Sequence, residues 1–345
     1  MARVSNTEKV NIYVPERTGT SLKRDAELFE IFRADGKEVN LNRFLSNLIV
    51  GYYNGYKQER NASVTEIKEI VSPYLRDHKK QDLVAEAIME RVILPEVPKR
   101  KGKSPVRLSL KPTLDTDQTI TEIMTTIGPG EYVSQYLCRM LMSYCEKPTY
   151  EREKIIFRNR VDFLEEACHD HSEITFATPT NPGLIHHVIP WELVAGTDET
   201  FNYLLCQEYN DYHQRNEARA YRLCRINRPS YYHTSGTFEP KVIGYLERMK
   251  RLAPQHAINS DEEICVRLTA AGRVSFRMIY TGRPMPERTE ECEEDGSVKL
   301  YFQCSQEQIY RYLLRFNAGE AIILYPEQLK KRIHDYYQAA MAAYE

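Results

Sequence analysis

Arg219, Arg222 and Arg225 stand in the run Arg219-Ala220-Tyr221-Arg222-Leu223-Cys224-Arg225-Ile226, among side chains that want burial. A half-buried strand here places Tyr221, Leu223 and Cys224/Ile226 on the inner side and projects Arg222, with Arg219 or Arg225, elsewhere. Guanidinium groups held this way grip phosphates and carboxylates; they bind, and do not by themselves break bonds. An apolar run, Phe201, Tyr203, Leu204 and Leu205, precedes them across a polar stretch, so Phe201 to Ile226 reads as a hairpin with a basic face. Tyr203 and Tyr209 on the same hairpin can stack on unpaired bases or pack the core. Upstream, His186 and His187 are adjacent and so point to opposite faces of a strand. His187 is a candidate contact to a bound polyanion, and no third ligand sits at metal spacing.

The chemistry missing around these residues is equally informative. The chain has no Gly-rich phosphate loop, no nucleophile elbow and no histidine and carboxylate spacing of a hydrolase, so a non-enzyme is expected. Glu287, Glu290, Glu291, Glu293, Glu294 and Asp295 form an acidic run in a proline-containing stretch and read as a solvated loop. The eight cysteines never approach CxxC spacing, which predicts reduced thiols with neither a zinc ribbon nor a secreted disulfide framework, and no cofactor is expected. A net charge of −2 argues against a protein that coats nucleic acid over its whole surface, and leaves room for local basic patches. No apolar run approaches the roughly 18 residues of a membrane span, and the start MARVSNTEKV lacks a signal-peptide core, so no membrane association and a cytoplasmic location are expected.

The elements that position the basic hairpin begin with a concealed repeat. Val10, Ile12 and Val14 alternate with Asn11 and Tyr13, as do Val106, Leu108 and Leu110 with Arg107 and Ser109, predicting two short strands. Each strand is followed by a helix, around Leu22 to Phe32 and around Thr119 to Ile127. A break follows, at Asp35-Gly36 and at Gly128-Pro129-Gly130, and then a longer helix. The apolar stripes of the two longer helices match at seven positions with a constant offset of 92, from Leu41 to Val133 through Tyr53 to Cys145. Strand, helix, turn, helix with this patterning resembles the ribbon-helix-helix fold, a dimer whose two strands pair. Two copies in one chain then imply an intramolecular pseudo-dimer. Asn11, Tyr13, Arg107 and Ser109 would face outward from that ribbon. In DNA-binding members these positions read bases, and in any solvated ribbon they would also be polar. Between the copies lie a helical insert (63–95) and a segment (96–104) carrying Lys99, Arg100, Lys101 and Lys103, either a phosphate-gripping run or a solvated linker.

Around the hairpin the chain resembles the WYL domain, a small SH3-like or Sm-like β-barrel of bacterial regulators. The family's signature triplet falls on Asn202-Tyr203-Leu204, with asparagine in place of tryptophan. Its basic strand falls on Arg219 to Ile226, with Cys224 in place of aspartate. His186 to Val194 resembles the segment ahead of the signature, Ile174-Thr175-Phe176 reads as a first strand, and Arg152 to Cys168 as a bridging helix. Beyond the barrel come a helix from Phe238 to Met249, strands at Ile264 to Leu268 and Val298 to Phe302, and an apolar stretch at Val274 to Ile279. A hairpin signal at Asp295-Gly296, a helix capped by Ser305, a strand at Ala321 to Leu324 and a last helix opened by Pro326 complete the chain. This order resembles the C-terminal extension that follows WYL domains, a ferredoxin-like unit used for self-association.

The expected fold is therefore α+β and multidomain. It comprises a helical ribbon-helix-helix-like N-terminal module (1–165), an SH3/Sm-like WYL barrel with a linker helix (166–250) and a ferredoxin-like α+β dimerisation domain (255–345). The domain order most resembles the WYL accessory proteins encoded beside the type VI-D CRISPR RNA-guided RNA nuclease. That resemblance implies a homodimer that binds single-stranded RNA through Arg222, Arg225, Arg219, His187, Tyr203 and Tyr209 and stimulates the nuclease. The alternative is a DNA-binding transcriptional regulator whose WYL domain senses a small anionic ligand or nucleotide. A third reading is a dimerisation scaffold that touches only protein.

Overall fold

The computed structural model describes residues 9–98, 105–127, 131–233, 235–292 and 295–344. The chain divides into two units, Met1–Asn159 and Arg160–Glu345, so the segments expected as barrel and as C-terminal domain share one unit.

In the first unit β1 (Val10–Val14) pairs antiparallel with β2 (Val106–Leu110), setting Ile12 opposite Leu108 and Val10 opposite Leu110. Alternation buries Ile12, Val14, Leu108 and Leu110 on one side of this two-stranded ribbon. The helices are α1 (Glu16–Leu28), α2 (Leu41–Val71), α3 (His78–Ile88), α4 (Leu114–Thr126), α5 (Val133–Glu146) and α6 (Thr149–Ile156). Leu41 and Val133, the first matched pair of the sequence repeat, are each the first residue of their helix. Asn40 caps α2 by accepting the Arg43 N–H at 3.0 Å. Phe44, Leu45, Leu48 and Ile49 are fully buried on α2, as are Leu137, Met140, Leu141 and Tyr144 on α5, and the two stripes meet where the Phe44 and Tyr144 rings lie edge to face at 6.2 Å. Gly51 lets α6 come close: a Cβ there would run into the Ile155 carbonyl oxygen.

Several helix bounds differ from the sequence expectation. α1 and α4 start well before Leu22 and Thr119, because helices begin at their caps rather than at their first apolar stripe. Pro15 precedes α1, and the Thr113 side chain accepts the Thr116 N–H ahead of α4. α1 also stops short of Phe32, leaving through Glu30 at φ 56°. The expected insert at Ser63 is not separate. With no Gly or Pro between Tyr56 and Ser72, α2 runs on as one helix of 31 residues, and α3 folds back on its far half around Ile67, Ala85 and Met89. Lys99, Arg100, Lys101 and Lys103 and the Gly128-Pro129-Gly130 break lie outside the described residues.

The second unit begins within α7 (Arg158–Asp170); Phe157 separates it from α6, so the single helix expected from Arg152 to Cys168 is two. The strands β3 (Glu173–Thr178), β4 (Asn181–Ala195), β5 (Asn202–Asn210), β6 (Arg215–Arg222) and β7 (Asn227–His233) form an antiparallel sheet in the order β6-β5-β4-β3-β7. One face packs on α8 (Pro240–Leu252), where Val242, Tyr245, Leu246 and Met249 meet Val194, Leu205 and Ala218. Ile174, Phe176, Leu204 and Cys206 are buried on the other face.

A second sheet follows, built from β8 (Ile264–Leu268), β9 (Arg288–Glu291), β10 (Val298–Phe302) and β11 (Ala321–Tyr325) in the order β11-β8-β10-β9, all antiparallel. The Val274 to Ile279 stretch belongs to α9 (Ala270–Met278), and α10 (Gln306–Leu313) buries Ile309 and Tyr312 with Val266, Leu300 and Phe302. α11 (Glu327–Ala342) closes the chain with only Leu329 buried. Part of the acidic stretch is strand rather than loop. Arg288–Glu291 pairs with β10, and Glu290 and Glu291 meet Lys299 at 3.2 Å and Arg273 at 2.9 Å; Glu293 and Glu294 lie outside the described residues. The architecture as a whole is mixed α+β and multidomain. Among the described residues no helix is long and apolar enough to cross a membrane.

Candidate nucleic-acid interface

The β5–β6 hairpin pairs Tyr203 with Arg222, Leu204 with Tyr221, Cys206 with Arg219 and Glu208 with Glu217. Directly opposed residues share a face, so Tyr203 and Arg222 lie on the α8 side, while Glu208, Glu217, Arg219 and Tyr221 lie on the inner side. The basic run does not continue as a strand to Ile226. It turns at Leu223–Arg225 into one 3-10 turn, because Leu223, Cys224 and Ile226 are all buried and no period-two strand can bury such a set. Arg160 pins that turn by donating from Nη1 to the Leu223 carbonyl at 2.7 Å. Arg225 is thereby carried on a turn rather than on the strand.

These placements sort the expected residues into two clefts. Tyr203, Arg222 and Arg225 line a cleft of about 720 Å³ together with His256 and Arg311. The Arg222 guanidinium lies over the Phe201 ring, 3.2 Å from its centroid, which fixes its plane. His187, Tyr209 and Arg219 line a second cleft of about 550 Å³ that also takes in Glu208, Asp211 and Tyr212. Tyr209 is half exposed, and His187 packs against the Tyr232 ring at 4.8 Å. Arg219 faces two carboxylates: its Nη2 lies 3.0 Å from Glu217 and its Nε 3.7 Å from Glu208.

His186 and Tyr221 belong to both clefts and form the wall between them. His186 Nδ1 is 2.8 Å from Glu208 Oε1, the Tyr221 hydroxyl donates to Glu208 Oε2 and lies 2.9 Å from His186 Nδ1, and Phe176 stacks on the imidazole at 5.4 Å. Burial first, then the neighbouring Cys206 and Glu208, push the Tyr221 hydroxyl far above its ordinary range, so it stays protonated and holds the wall rather than delivering a nucleophile. The sequence reading missed this cluster. Its signal was present: Glu208 lies two residues beyond Cys206 on one face of the strand, and an acid pointing inward needs a partner.

Glu217 is held below the ordinary carboxylate range. Burial alone would raise it, but hydrogen bonds from Asn210, His213 and Arg215 and the charge of Arg219 outweigh that cost. His256 is shifted down, by burial first and then by the charge of Arg311, so it is neutral at pH 7. Among the described residues no group of three or more His, Cys, Asp or Glu side chains could hold a metal ion, and the cysteines form no disulfide.

In the first unit Tyr13 pairs with Arg107 and Asn11 with Ser109 on the ribbon's outer side. Arg107 and Ser109 are exposed, and Arg107 Nε donates to Asn11 Oδ1 at 3.0 Å, so this cation is partly engaged within the ribbon.

No family model and no curated protein matches the chain. Among solved structures, one described as "Crystal structure of a CRISPR Cas-related protein" superposes with a TM-score of 0.65 at 16% identity, over 99% of this chain and 96% of that one. At that identity the likeness establishes a shared fold along nearly the whole length of both chains. The proteasome accessory factor B/C (PafBC) of Arthrobacter aurescens also matches, at 12% identity over 99% of this chain and 51% of its own, with a TM-score of 0.26 that carries no argument.

Proposed function

We propose that this chain is a nucleic-acid-binding accessory protein that holds single-stranded RNA against its five-stranded barrel and stimulates a type VI-D CRISPR RNA-guided RNA nuclease. The observation that carries the RNA reading is the larger cleft. Arg222, fixed over Phe201, and Arg225, presented by a pinned turn, line it beside the Tyr203 ring. Guanidiniums for phosphates and a ring for bases are what sequence-tolerant binding of an unpaired strand requires. His187, Tyr209 and Arg219 extend this surface along the second cleft. The nuclease partner rests on the resemblance of the domain order and on the fold shared with a CRISPR Cas-related protein.

In this reading the first unit is a tandem ribbon-helix-helix module. Its support is that the paired strands are centred on Ile12 and Leu108 and that the two matched helices start at equivalent residues. The five-stranded sheet with its 3-10 turn before the last strand is the WYL barrel. The last sheet, with its β-α-β-β-α-β order, is a ferredoxin-like extension through which the chain forms a homodimer. A DNA-binding regulator whose barrel senses a small anion is the second reading, favoured by the ribbon's polar outer row of Asn11, Tyr13, Arg107 and Ser109. Against it, that row carries a single cation, already bonded to Asn11.

Affinities for matched single-stranded RNA, single-stranded DNA and duplex DNA at several salt concentrations test the proposal. Single strands are expected to win. The Arg222→Ala/Arg225→Ala variant is expected to lose single-strand binding while remaining folded. A preference for duplex DNA by orders of magnitude overturns the RNA reading, and unchanged single-strand binding in the double variant removes the barrel from it.

A further inference from the structure

We infer that the single-strand site is shared between the barrel and the C-terminal αβ elements, with Arg311 as a third phosphate-binding arginine that Glu307 holds in reserve. This rests on the single-strand reading above and adds the residues that complete it.

α10 is pinned on its sheet by Ile309, Tyr312 and Leu313, which leaves Glu307 and Arg311, four residues apart, away from that buried stripe. Both line the cleft that Arg222 and Arg225 line. Among the described residues lining it, the cleft therefore brings together three arginines and the carboxylate of Glu307, drawn from a strand end, a 3-10 turn and a helix of a different sheet. The Arg311 side chain is 71% exposed. Its Nε donates to Glu307 Oε1, and among the described residues neither of its Nη groups makes a hydrogen bond. Two parallel N–H groups remain for one phosphate, the geometry that binds it best.

Glu307 is what makes Arg311 transferable. Its other oxygen lies 2.7 Å from Nη1 of Arg332 on α11. Burial alone would push this carboxyl up, yet hydrogen bonds from Arg311 and Arg332 hold it below its usual range. When a phosphate takes Arg311, Arg332 still neutralises Glu307, so the carboxylate is not stranded. The Arg311–Glu307 pair is a solvent-accessible ion pair on one helix, a weak class of interaction, and a phosphate offers the guanidinium a charge-assisted, bidentate alternative.

The test is titration of the full-length protein with a labelled single-stranded RNA oligonucleotide between low and moderate salt. It compares Arg311→Ala, Glu307→Gln and Arg222→Ala/Arg225→Ala with the parent chain. Arg311→Ala is expected to weaken binding roughly 10-fold and to lower the slope of log affinity against log salt by about one, the signature of one lost phosphate contact. Glu307→Gln is expected to tighten binding several-fold, because it removes a negative charge from the cleft lining while leaving the three arginines. If Arg311→Ala leaves affinity and slope unchanged while the barrel double variant loses binding, the inference fails and the barrel reading stands. If neither changes binding, both fail. Weakened binding in Glu307→Gln also overturns the inference, since it would mean that the pair holds Arg311 in place rather than in reserve. Arg311 is largely exposed, so its loss leaves the fold intact, and equal melting temperatures verify this.

Discussion

Ile12 faces Leu108 at the middle of the β1–β2 ladder, both essentially excluded from solvent, so the two strands are related by a local twofold through this pair. Neither strand can bury its apolar side without the other. Ile12→Ala or Leu108→Ala should therefore cost about 2–4 kcal/mol, whereas Ser109→Ala, on the exposed side of the same ladder, should fall within about 0.5 kcal/mol of the parent. Denaturant midpoints of the first unit's transition check both.

Phe201 supports the Arg222 guanidinium from a centroid distance of 3.2 Å. Phe201→Leu keeps an apolar side chain but removes the π face, a loss of about 0.5–1 kcal/mol in cation–π energy at an accessible site. The expected result is a several-fold weaker single-stranded RNA affinity with an unchanged salt slope, since no phosphate contact is lost. A fall in slope would mean that Arg222 itself has left the strand.

The Glu217 side chain is 5% exposed and is surrounded by Asn210, His213, Arg215 and Arg219. Its folded pKa lies below the ordinary 4.5. This carboxylate therefore adds stability that is present above pH 4.5 and is lost as pH falls through the folded value. Glu217→Gln should lower stability at pH 7 by about 1–3 kcal/mol and flatten the acid limb of the stability profile. Thermal melts from pH 7 to pH 3 on both proteins give the comparison.

His256 acts in the same direction in a higher pH window. Its folded pKa lies below 6.5, through burial and then the charge of Arg311. As pH falls through 6.5 the unfolded chain takes up a proton that the folded chain resists, so stability rises with pH across that window and drops on acidification. A phosphate bound beside it reverses the balance by favouring the charged ring, so RNA affinity should increase as pH falls from 7.5 to about 6. His256→Gln should flatten both curves; an affinity profile that keeps its slope in the variant places the titrating group elsewhere.

The N-terminal repeat was legible because its stripes follow the helix period, which is a local property. Phe44, Leu45, Leu48 and Ile49 are buried where the spacing put them, and so are Tyr136, Leu137, Met140 and Leu141. Helix starts were less legible, since Pro15 and Thr113 act as boundaries without belonging to a stripe. The basic hairpin stands at the expected residues, but its last part is a 3-10 turn rather than the expected strand. The signal against that reading was in the chain: Leu223, Cys224 and Ile226 are three apolar residues within four positions, which alternation cannot bury together. The Glu208, His186 and Tyr221 cluster could have been suspected from one inward-pointing acid, though not its partners, which come from two other strands.

Taken alone, the chain of amino acids determined the striped helices and alternating strands of the N-terminal repeat, the faces they bury, and that a cationic hairpin sits in its middle, because each of these follows from residue spacing within a few turns. Only the tertiary structure decided that Arg222 and Arg225 share a cleft with Arg311 and His256, while Arg219 turns to two carboxylates on the far side of the His186 and Tyr221 wall. The reason is physical. A guanidinium's role depends on the charges that surround it in space, and residues distant along the chain supply those charges only after the sheets have packed.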